Sequence, residues 1–408
     1  MSSSNDDATT DRQKLRDTEA VEHFRQYLRT PAVHPNPNYD ESVKFLIKQA
    51  DEIGLRHRTY EYFKGKPILV LTWTGLEPQL PSVLFNNHMD LVSVDEKEWL
   101  HKPFDADIDE KGDIHARGAQ DMKSTSIQYL EAIRRLKQDG VQLRRTVHLS
   151  FMPDEEIGGE HGMKAFAPSA DFKNLNVGFA VDEAFPNEDD VIKIANGEKT
   201  TWQFRVHCPG QPGHGSQLFD NTAGEKVQIL LDKFYSYRKA MVEKLKDPLV
   251  EESDVVSINL TQIQGGVQVN VIPDELILTF DCRLPINTNI NEWEKTLKTW
   301  CKDAGDDLWI EYLQKNPLSA VTTLDDNNIY WVAFKKAANE INLKLKVMTL
   351  VGVTDIRHVR ALGVPAIGFS AIYNTPNREH KDNEFLNVDI FLKGIEIYYN
   401  LIPAIANA

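Results

Sequence analysis

Short apolar runs alternate with amphipathic helices over the first half of the chain, and this alternation limits the fold more than any other feature. Four of the runs have the length and composition of buried strands: residues 67–72, 83–86, 146–152 and 177–181. A helix is predicted over residues 124–138, because apolar side chains recur there along one face and Gly140 follows its end. Strands interleaved with helices predict a mostly parallel sheet that is covered on both faces.

The pattern changes near Gly197. The next predicted elements are strand, helix, strand, strand, helix and strand, which is the order of a ferredoxin-like β-α-β-β-α-β unit. We therefore predict an α/β protein whose larger, mostly parallel-sheet domain (residues 17–197 and 315–408) is interrupted by a smaller inserted domain (residues 198–314). Residues 1–16 begin with a polar, acidic stretch and are predicted to be disordered.

Side chains that can bind a metal or move a proton follow the predicted strands. Open α/β sheets bind their ligands at the carboxyl ends of the strands, so these side chains are expected to converge. The candidates are His88, Asp90, Asp121, Glu155, Glu156, Asp182 and, near the end of the chain, His380. A chain with 12 histidines and 61 acidic residues also offers many accidental combinations of this kind.

The spacing within three segments suggests how these side chains act. His88 and Asp90 are two residues apart, so in an extended segment the carboxylate can accept the second N–H of the imidazole. Asp121 stands at the entry of the predicted helix and either binds a metal or caps the helix. The neighbours Glu155 and Glu156 point in opposite directions from an extended backbone, so one can bind a metal while the other faces a substrate. A stray His-Asp pair and a solvated acidic loop are the ordinary alternatives.

The candidate donors are imidazoles and carboxylates, without a thiolate. The three cysteines, Cys208, Cys282 and Cys301, form no CxxC pair and indicate neither a disulfide framework nor a thiolate zinc site. Nitrogen and oxygen ligands suit Zn²⁺, Mn²⁺ or Co²⁺. Two such ions that share one carboxylate would form a two-metal hydrolytic site.

The order of the motifs resembles that of the M20 family of zinc-dependent peptidases and deacylases. The motifs are His88-Met-Asp90, Ala-Arg-Gly-Ala-Gln-Asp121-Met-Lys, Pro-Asp-Glu155-Glu156-Ile-Gly-Gly, Asp182 and His380. Within the family, three further phrases are similar to those of members that hydrolyse N-acyl-L-amino acids: Pro-Gly-His214-Gly-Ser, Gly-Gly-Val-Gln-Val-Asn270-Val-Ile-Pro and Thr-Asp-Ile-Arg357. The resemblance extends over residues 18–401.

Carried over residue by residue, the resemblance implies a site for two zinc ions, which Co²⁺ or Mn²⁺ can replace. One ion would be held by His88 and Asp182 and the other by Glu156 and His380, with Asp121 bridging the two. The resemblance also implies that Asp90 orients His88. Glu155 would be the general base, which takes a proton from the water between the metals and returns it to the leaving amine.

The resemblance further implies groups that bind the substrate. His214 would reach across a homodimer, formed through the inserted lid domain, and hydrogen-bond the oxyanion in the partner's site. Asn270, Arg283 and Arg357 lie where the family places substrate-binding groups. A guanidinium fork suits an amino-acid carboxylate, and which arginine fills this role is left open.

The expected activity is hydrolysis of an N-acyl-L-amino acid to a carboxylate and a free L-amino acid. The first alternative is a metallodipeptidase or carboxypeptidase that acts on unblocked peptides. The second is a metal-free binding protein, which predicts missing ligands, although none of the ligand set is missing.

Charge and hydropathy exclude other classes of partner. The chain has 61 acidic and 46 basic side chains, and its net charge of −15 argues against nucleic acid and anionic lipid as partners. No apolar run approaches the roughly 20 residues that cross a bilayer. The polar, acidic beginning lacks the pattern of a secretory signal, so we expect a cytoplasmic protein.

Overall fold

A computed structural model describes residues 3–408, with side chains from residue 12 onward. The helices, in chain order, are α1 (Ser3–Leu28), α2 (Asp40–Ile53), α3 (Lys123–Gln138), α4 (Met163–Phe166), α5 (Ala170–Asn174), α6 (Ala223–Lys244), α7 (Ile290–Ala304), α8 (Ile329–Glu340), α9 (Ile356–Arg360) and α10 (Val388–Ala406). Among the described residues, no helix combines the length and the apolar character that are needed to cross a bilayer.

The strands begin with β1 (Arg56–Phe63), β2 (Lys66–Trp73), β3 (Ser82–His88), β4 (Asp107–Ile108), β5 (Asp113–His115), β6 (Val147–Met152), β7 (Val177–Asp182) and β8 (Val191–Glu198). They continue with β9 (Thr200–Pro209), β10 (Gly213–His214), β11 (Ser257–Gly265), β12 (Val271–Ile272), β13 (Glu275–Leu284), β14 (Trp309–Lys315), β15 (Lys344–Leu350), β16 (Ala366–Phe369) and β17 (Phe385–Asn387).

The chain divides into two compact units. The first comprises residues 3–196, 322–348 and 354–408, and the second comprises residues 197–321 and 349–353. The predicted insertion, residues 198–314, lies within the second unit.

The first unit is built on an eight-stranded sheet with the order β1-β2-β6-β3-β7-β16-β8-β15. The four central strands β6, β3, β7 and β16 run parallel, whereas β1, β2 and β8 pair antiparallel with their neighbours. Every residue of β3 and β6 is buried, as expected for strands that are covered on both faces. The α/β prediction is confirmed, and the parallel pairing is concentrated at the centre of the sheet.

The second unit contains the predicted β-α-β-β-α-β order. Its four long strands form an antiparallel sheet with the order β11-β13-β9-β14. Alternate residues of β9, among them Trp202 and Phe204, are buried with Phe234 of α6 and Leu297 of α7. One face of the sheet therefore carries the core of this unit, and the ferredoxin-like prediction is confirmed.

The beginning of the chain differs from the prediction. Residues 3–16, expected to be disordered, form the first half of α1, while Met1 and Ser2 lie outside the described residues. Arg16 pairs with Asp139, which directly follows α3, at 2.8 Å. The sequence did not reveal this pairing because its two partners are far apart along the chain.

Candidate metal centre

Three parallel strands bring their carboxyl ends to one edge of the large sheet. His88 is the last residue of β3 and lies opposite Met152, the last residue of β6. Glu155 and Glu156 form a single helical turn shortly after β6, and Glu183 directly follows β7. The parallel pairing thus places an imidazole and three carboxyl groups at the same edge.

The carboxylate of Asp121 lies between two imidazoles. Its Oδ1 is 2.8 Å from Nε2 of His88, and its Oδ2 is 3.2 Å from Nε2 of His380. His380 Nε2 also lies 2.9 Å from Oε2 of Glu156. The N-cap residue of α3 is Met122, and no side chain caps this helix. Asp121 therefore has the position of a bridging group and not that of a helix cap.

The structure contradicts the choice of Asp182 as a ligand and puts Glu183 in its place. Oδ1 of Asp182 accepts a hydrogen bond from Asn86 Nδ2 at 3.2 Å, and Oδ2 accepts one from the backbone N–H of Ile356 at 3.0 Å. Oε2 of Glu183 lies 3.5 Å from Nε2 of His88. Neighbouring side chains leave an extended backbone in opposite directions, so only one of two adjacent acids can face the cluster.

The His88 ring is held at Nδ1, the nitrogen that does not face Asp121. Its Nδ1 lies 3.0 Å from the backbone carbonyl of Asp90, whereas the Asp90 carboxylate is 3.6 Å away. A carbonyl only accepts hydrogen bonds, so Nδ1 carries a proton and donates it, and Nε2 is the nitrogen that faces the cluster and would bind a metal. Asp90 therefore contacts the ring mainly through its backbone oxygen, and its role in orienting His88 stays a prediction.

The side chain of Asp90 holds the turn that bears the two glutamates. Its oxygens accept hydrogen bonds from the backbone N–H groups of Glu155, at 3.2 Å, and Glu156, at 3.1 Å. His34 Nε2 lies 2.8 Å from the same carboxylate, and this contact raises the pKa of His34. His34 is not among the candidate residues of the sequence, because no local motif marks a contact between residues so far apart.

The charge of the cluster favours cations. Burial, followed by the charge of Glu183, raises the pKa of Glu155 well above its usual range. Burial likewise raises the pKa of Glu183. Hydrogen bonds that His380 donates to Asp121 and Glu156 raise the pKa of His380 to about 10. The shifts of Glu155 and Glu183 reflect carboxyl groups that are crowded in a poorly solvated place, where a divalent cation would neutralise them.

The donor set also fits divalent metal ions. Within this cluster, two groups of three donors lie close enough together to hold an ion: His88 with Glu155 and Glu183, and His88 with Asp121 and Glu156. Imidazole nitrogen and carboxylate oxygen, without sulfur, are ligands of Zn²⁺, Co²⁺ and Mn²⁺. The residues present therefore suit the metals that the resemblance implies.

The predicted substrate-binding residues fall in both units. Arg357, in the first unit, donates to the carbonyl oxygens of Thr354, at 2.6 Å, and Gly158, at 2.9 Å, and so lies next to the glutamate turn. Arg283, in the second unit, forms a two-pronged pair with Asp281 at 2.8 and 3.1 Å. Both guanidinium planes are therefore held in place.

The other two predicted residues, His214 and Asn270, lie together in the second unit. His214 pairs with Val271 in the β10–β12 ribbon, and the N–H of Gly215 donates to the carbonyl of Asn270 at 2.8 Å. This exposed ribbon is defined here as the His214 ribbon. The substrate roles of Asn270, Arg283, Arg357 and His214 stay predictions.

Residues 84–404 match the family model described as peptidase family M20/M25/M40. The chain belongs to this family. The motifs that carry the resemblance are thus those of an M20 chain, and the predicted membership is confirmed.

Among proteins similar to this M20 chain, Aminoacylase-1 of Mus musculus is 42% identical over 389 residues, 95% of each chain. Aminoacylase-1 of Dictyostelium discoideum is 36% identical over 406 residues, covering 96% of this chain and 99% of the relative.

A solved M20 family metallo-carboxypeptidase of Sulfolobus solfataricus is similar in structure, with a TM-score of 0.75 and 20% identity over 95% of this chain and 99% of that chain. A dinuclear metal-binding M20 peptidase of Bacillus subtilis gives a TM-score of 0.66 at 15% identity, over 95% and 98% of the two chains. At these identities the likeness establishes the fold alone.

The assignment of Glu183 in place of Asp182 can be tested by metal binding. Glu183→Gln removes an anionic donor from the cluster, so we expect metal affinity to fall by at least about tenfold. Asp182→Asn disturbs two buried hydrogen bonds, so we expect it to lower the free energy of unfolding by about 1–3 kcal/mol and to leave metal affinity nearly unchanged. Chelator competition and thermal unfolding measure the two effects, and the reverse pattern would restore Asp182 as the ligand.

Proposed function

We propose that this chain is a metal-dependent amidohydrolase that converts N-acyl-L-amino acids into a carboxylate and a free L-amino acid. The substrate class is supported by similarity to aminoacylase-1 proteins along nearly the whole chain. The observation that carries the reaction is the Asp121 carboxylate between His88 and His380, with two glutamates on the adjoining turn.

The proposed centre holds two Zn²⁺ ions, which Co²⁺ or Mn²⁺ can replace. One ion would be bound by His88 and Glu183 and the other by Glu156 and His380, with Asp121 shared between them. When bound, such cations lower the pKa of a water and polarise the carbonyl of the scissile amide. Carboxyl groups outnumber imidazoles in the cluster. This excess of acidic groups supports a centre that holds two divalent cations.

Glu155 is the proposed general base. It is the neighbour of a proposed ligand, Glu156, and Asp90 holds the backbone N–H groups of both. Its carboxylate would take a proton from the attacking water and deliver it to the nitrogen of the leaving amino acid.

His214 is proposed to donate a hydrogen bond to the oxyanion in the site of a partner subunit. The backbone N–H of Ser216 donates to Nδ1 of His214 at 3.3 Å, so the neutral ring carries its proton on Nε2 and is ready to donate it. Asn270 lies on the same ribbon and would bind the substrate with it. Arg283 and Arg357 are proposed to bind the substrate too, because a guanidinium fork matches its α-carboxylate.

A homodimer through the second unit is part of this proposal. The side chains of Leu218, Val267 and Val269, close in sequence to the His214 ribbon, are almost fully exposed. Strand β11 is an edge strand, and most of its residues are exposed. Exposed apolar groups beside an unpaired strand edge favour association with a second copy.

We also propose that the protein resides in the cytoplasm. Cys208, Cys282 and Cys301 are all buried, unpaired thiols. Burial raises the pKa of the Cys208 thiol to about 12, so it stays protonated and unreactive. Unpaired cysteines of this kind fit a reducing compartment.

Comparison of blocked and unblocked substrates tests the proposed activity. We expect N-acetyl-L-methionine to be hydrolysed with a kcat/KM at least about tenfold above that of any dipeptide in a matched panel, a difference of about 1.4 kcal/mol in transition-state binding. N-acetyl-D-methionine is the stereochemical control. Faster hydrolysis of unblocked dipeptides would favour the peptidase alternative.

Glu155→Gln separates proton transfer from metal binding. The amide cannot accept the water's proton, so we expect kcat to fall by about 10²–10⁴-fold while the metal content is retained. Glu160→Gln is the matched control, because this exposed acid on the same loop pairs with Lys164 and should leave kcat unchanged. Substantial turnover by the Glu155 variant would remove Glu155 from the mechanism.

A mixing experiment tests whether His214 acts across the dimer. Glu155→Gln and His214→Asn each inactivate their own homodimer in this proposal. A heterodimer of the two has one complete site only if His214 serves the partner, so co-refolding equal amounts should restore about a quarter of the wild-type activity. If the mixture stays inactive although heterodimers form, His214 acts within its own chain or not at all.

A further inference from the structure

Asp121 and His380 are far apart in sequence, and their side chains meet only because two loops are held together. One loop, residues 117–121, precedes α3 and is called the Asp121 loop. The other, residues 376–385, precedes α10 and is called the His380 loop. The approach of the Asp121 carboxylate to the His380 imidazole depends on how firmly these two loops are joined.

Glu384 of the His380 loop binds the Asp121 loop at four points. Its Oε2 accepts hydrogen bonds from Arg117 Nη1 at 2.7 Å and from the N–H of Gly118 at 3.1 Å. Its Oε1 accepts from the N–H groups of Gln120 at 2.6 Å and Asp121 at 3.3 Å. Glu384 is completely buried, so no water replaces these donors.

Gln120 of the Asp121 loop binds the His380 loop in return. Its Nε2 donates to the carbonyl oxygens of Pro376, at 3.1 Å, and Phe385, at 2.8 Å. Its Oε1 accepts from the N–H of Arg378 at 2.8 Å. The three contacts span the His380 loop from one end to the other and flank His380 in sequence.

We propose that Glu384 and Gln120 form a reciprocal clasp that sets the spacing of the Asp121 carboxylate and the His380 imidazole, and thereby the affinity and geometry with which the centre binds divalent cations. Neither residue belongs to the donor set, so both are positioning residues. This inference rests on the metal centre of the proposed function.

The chemistry of the clasp explains why a conservative exchange would disturb it. A carboxylate offers only acceptors, and here each of its oxygens receives two N–H groups. The Glu384→Gln substitution replaces one carboxylate oxygen with an NH₂ group. This group must then face two of the N–H donors. The backbone on that side of the clasp would move away, and Asp121 would move with it.

The test compares metal binding by wild-type protein, Glu384→Gln, Gln120→Ala and a control, Glu131→Gln. Glu131 is equally buried and is hydrogen-bonded to His23 at 2.9 Å and Arg134 at 3.1 Å, but it lies further along α3 and outside the clasp. Each protein is stripped of metal. Its thermal unfolding, its Zn²⁺ affinity in competition with a chelator and the visible absorption of its Co²⁺ form are then measured.

We expect both clasp variants to bind Zn²⁺ about 10–100-fold more weakly than wild type and to change the Co²⁺ absorption spectrum. The Glu131 variant should lose thermal stability while keeping the wild-type affinity and spectrum. Unchanged affinity and spectrum in either folded clasp variant overturn the proposal, as does an equal loss of affinity in the Glu131 variant. If Glu384→Gln fails to fold, Gln120→Ala decides the matter, because it leaves the Glu384–Arg117 pair in place.

These readouts separate the clasp from the proposed activity. If the clasp variants bind metal weakly but the wild type hydrolyses no N-acyl amino acid, the clasp stands and the substrate assignment fails. If the wild type is active and the clasp variants bind metal normally, the assignment stands and the clasp fails.

Discussion

Negative charge collected at one edge of the large sheet is the constraint on which the rest of this structure depends. Asp121, Glu155, Glu156 and Glu183 crowd around two imidazoles, and their carboxyl groups have little access to water. Moving carboxylates out of water is costly unless cations or donors compensate. The fully buried central strands hold the acids together, and the donor set is arranged to be completed by divalent ions.

Hydrogen bonds around the cluster hold the segments that carry its side chains in place. Asp90 binds the glutamate turn, while Glu384 and Gln120 join the two loops that carry Asp121 and His380. None of these three side chains supplies a metal ligand in the proposed centre. They fix where the ligands stand, which matters because small displacements of a donor weaken metal binding strongly.

The two units contribute different properties to the proposed reaction. The first holds its reactive groups rigidly at the end of parallel strands. The second presents His214 and Asn270 on an exposed ribbon, with apolar side chains nearby that remain uncovered in a single chain. These exposed apolar side chains give a physical reason for a dimer, because a second copy of the chain can cover them.

Periodicity and motif order by themselves determined the α/β class, the ferredoxin-like insertion, the family and most of the donor set, because these depend on local patterns and on residues close to strand ends. The tertiary structure decided what those patterns leave open. The sequence does not distinguish the two adjacent acids at the end of β7. In the folded chain the side chain of Glu183 lies near His88, whereas that of Asp182 is hydrogen-bonded to Asn86. His34, Gln120 and Glu384 act through contacts between distant segments, and α1 begins earlier than its polar sequence suggested. Such contacts exist only after the chain has folded, so no local pattern encodes them.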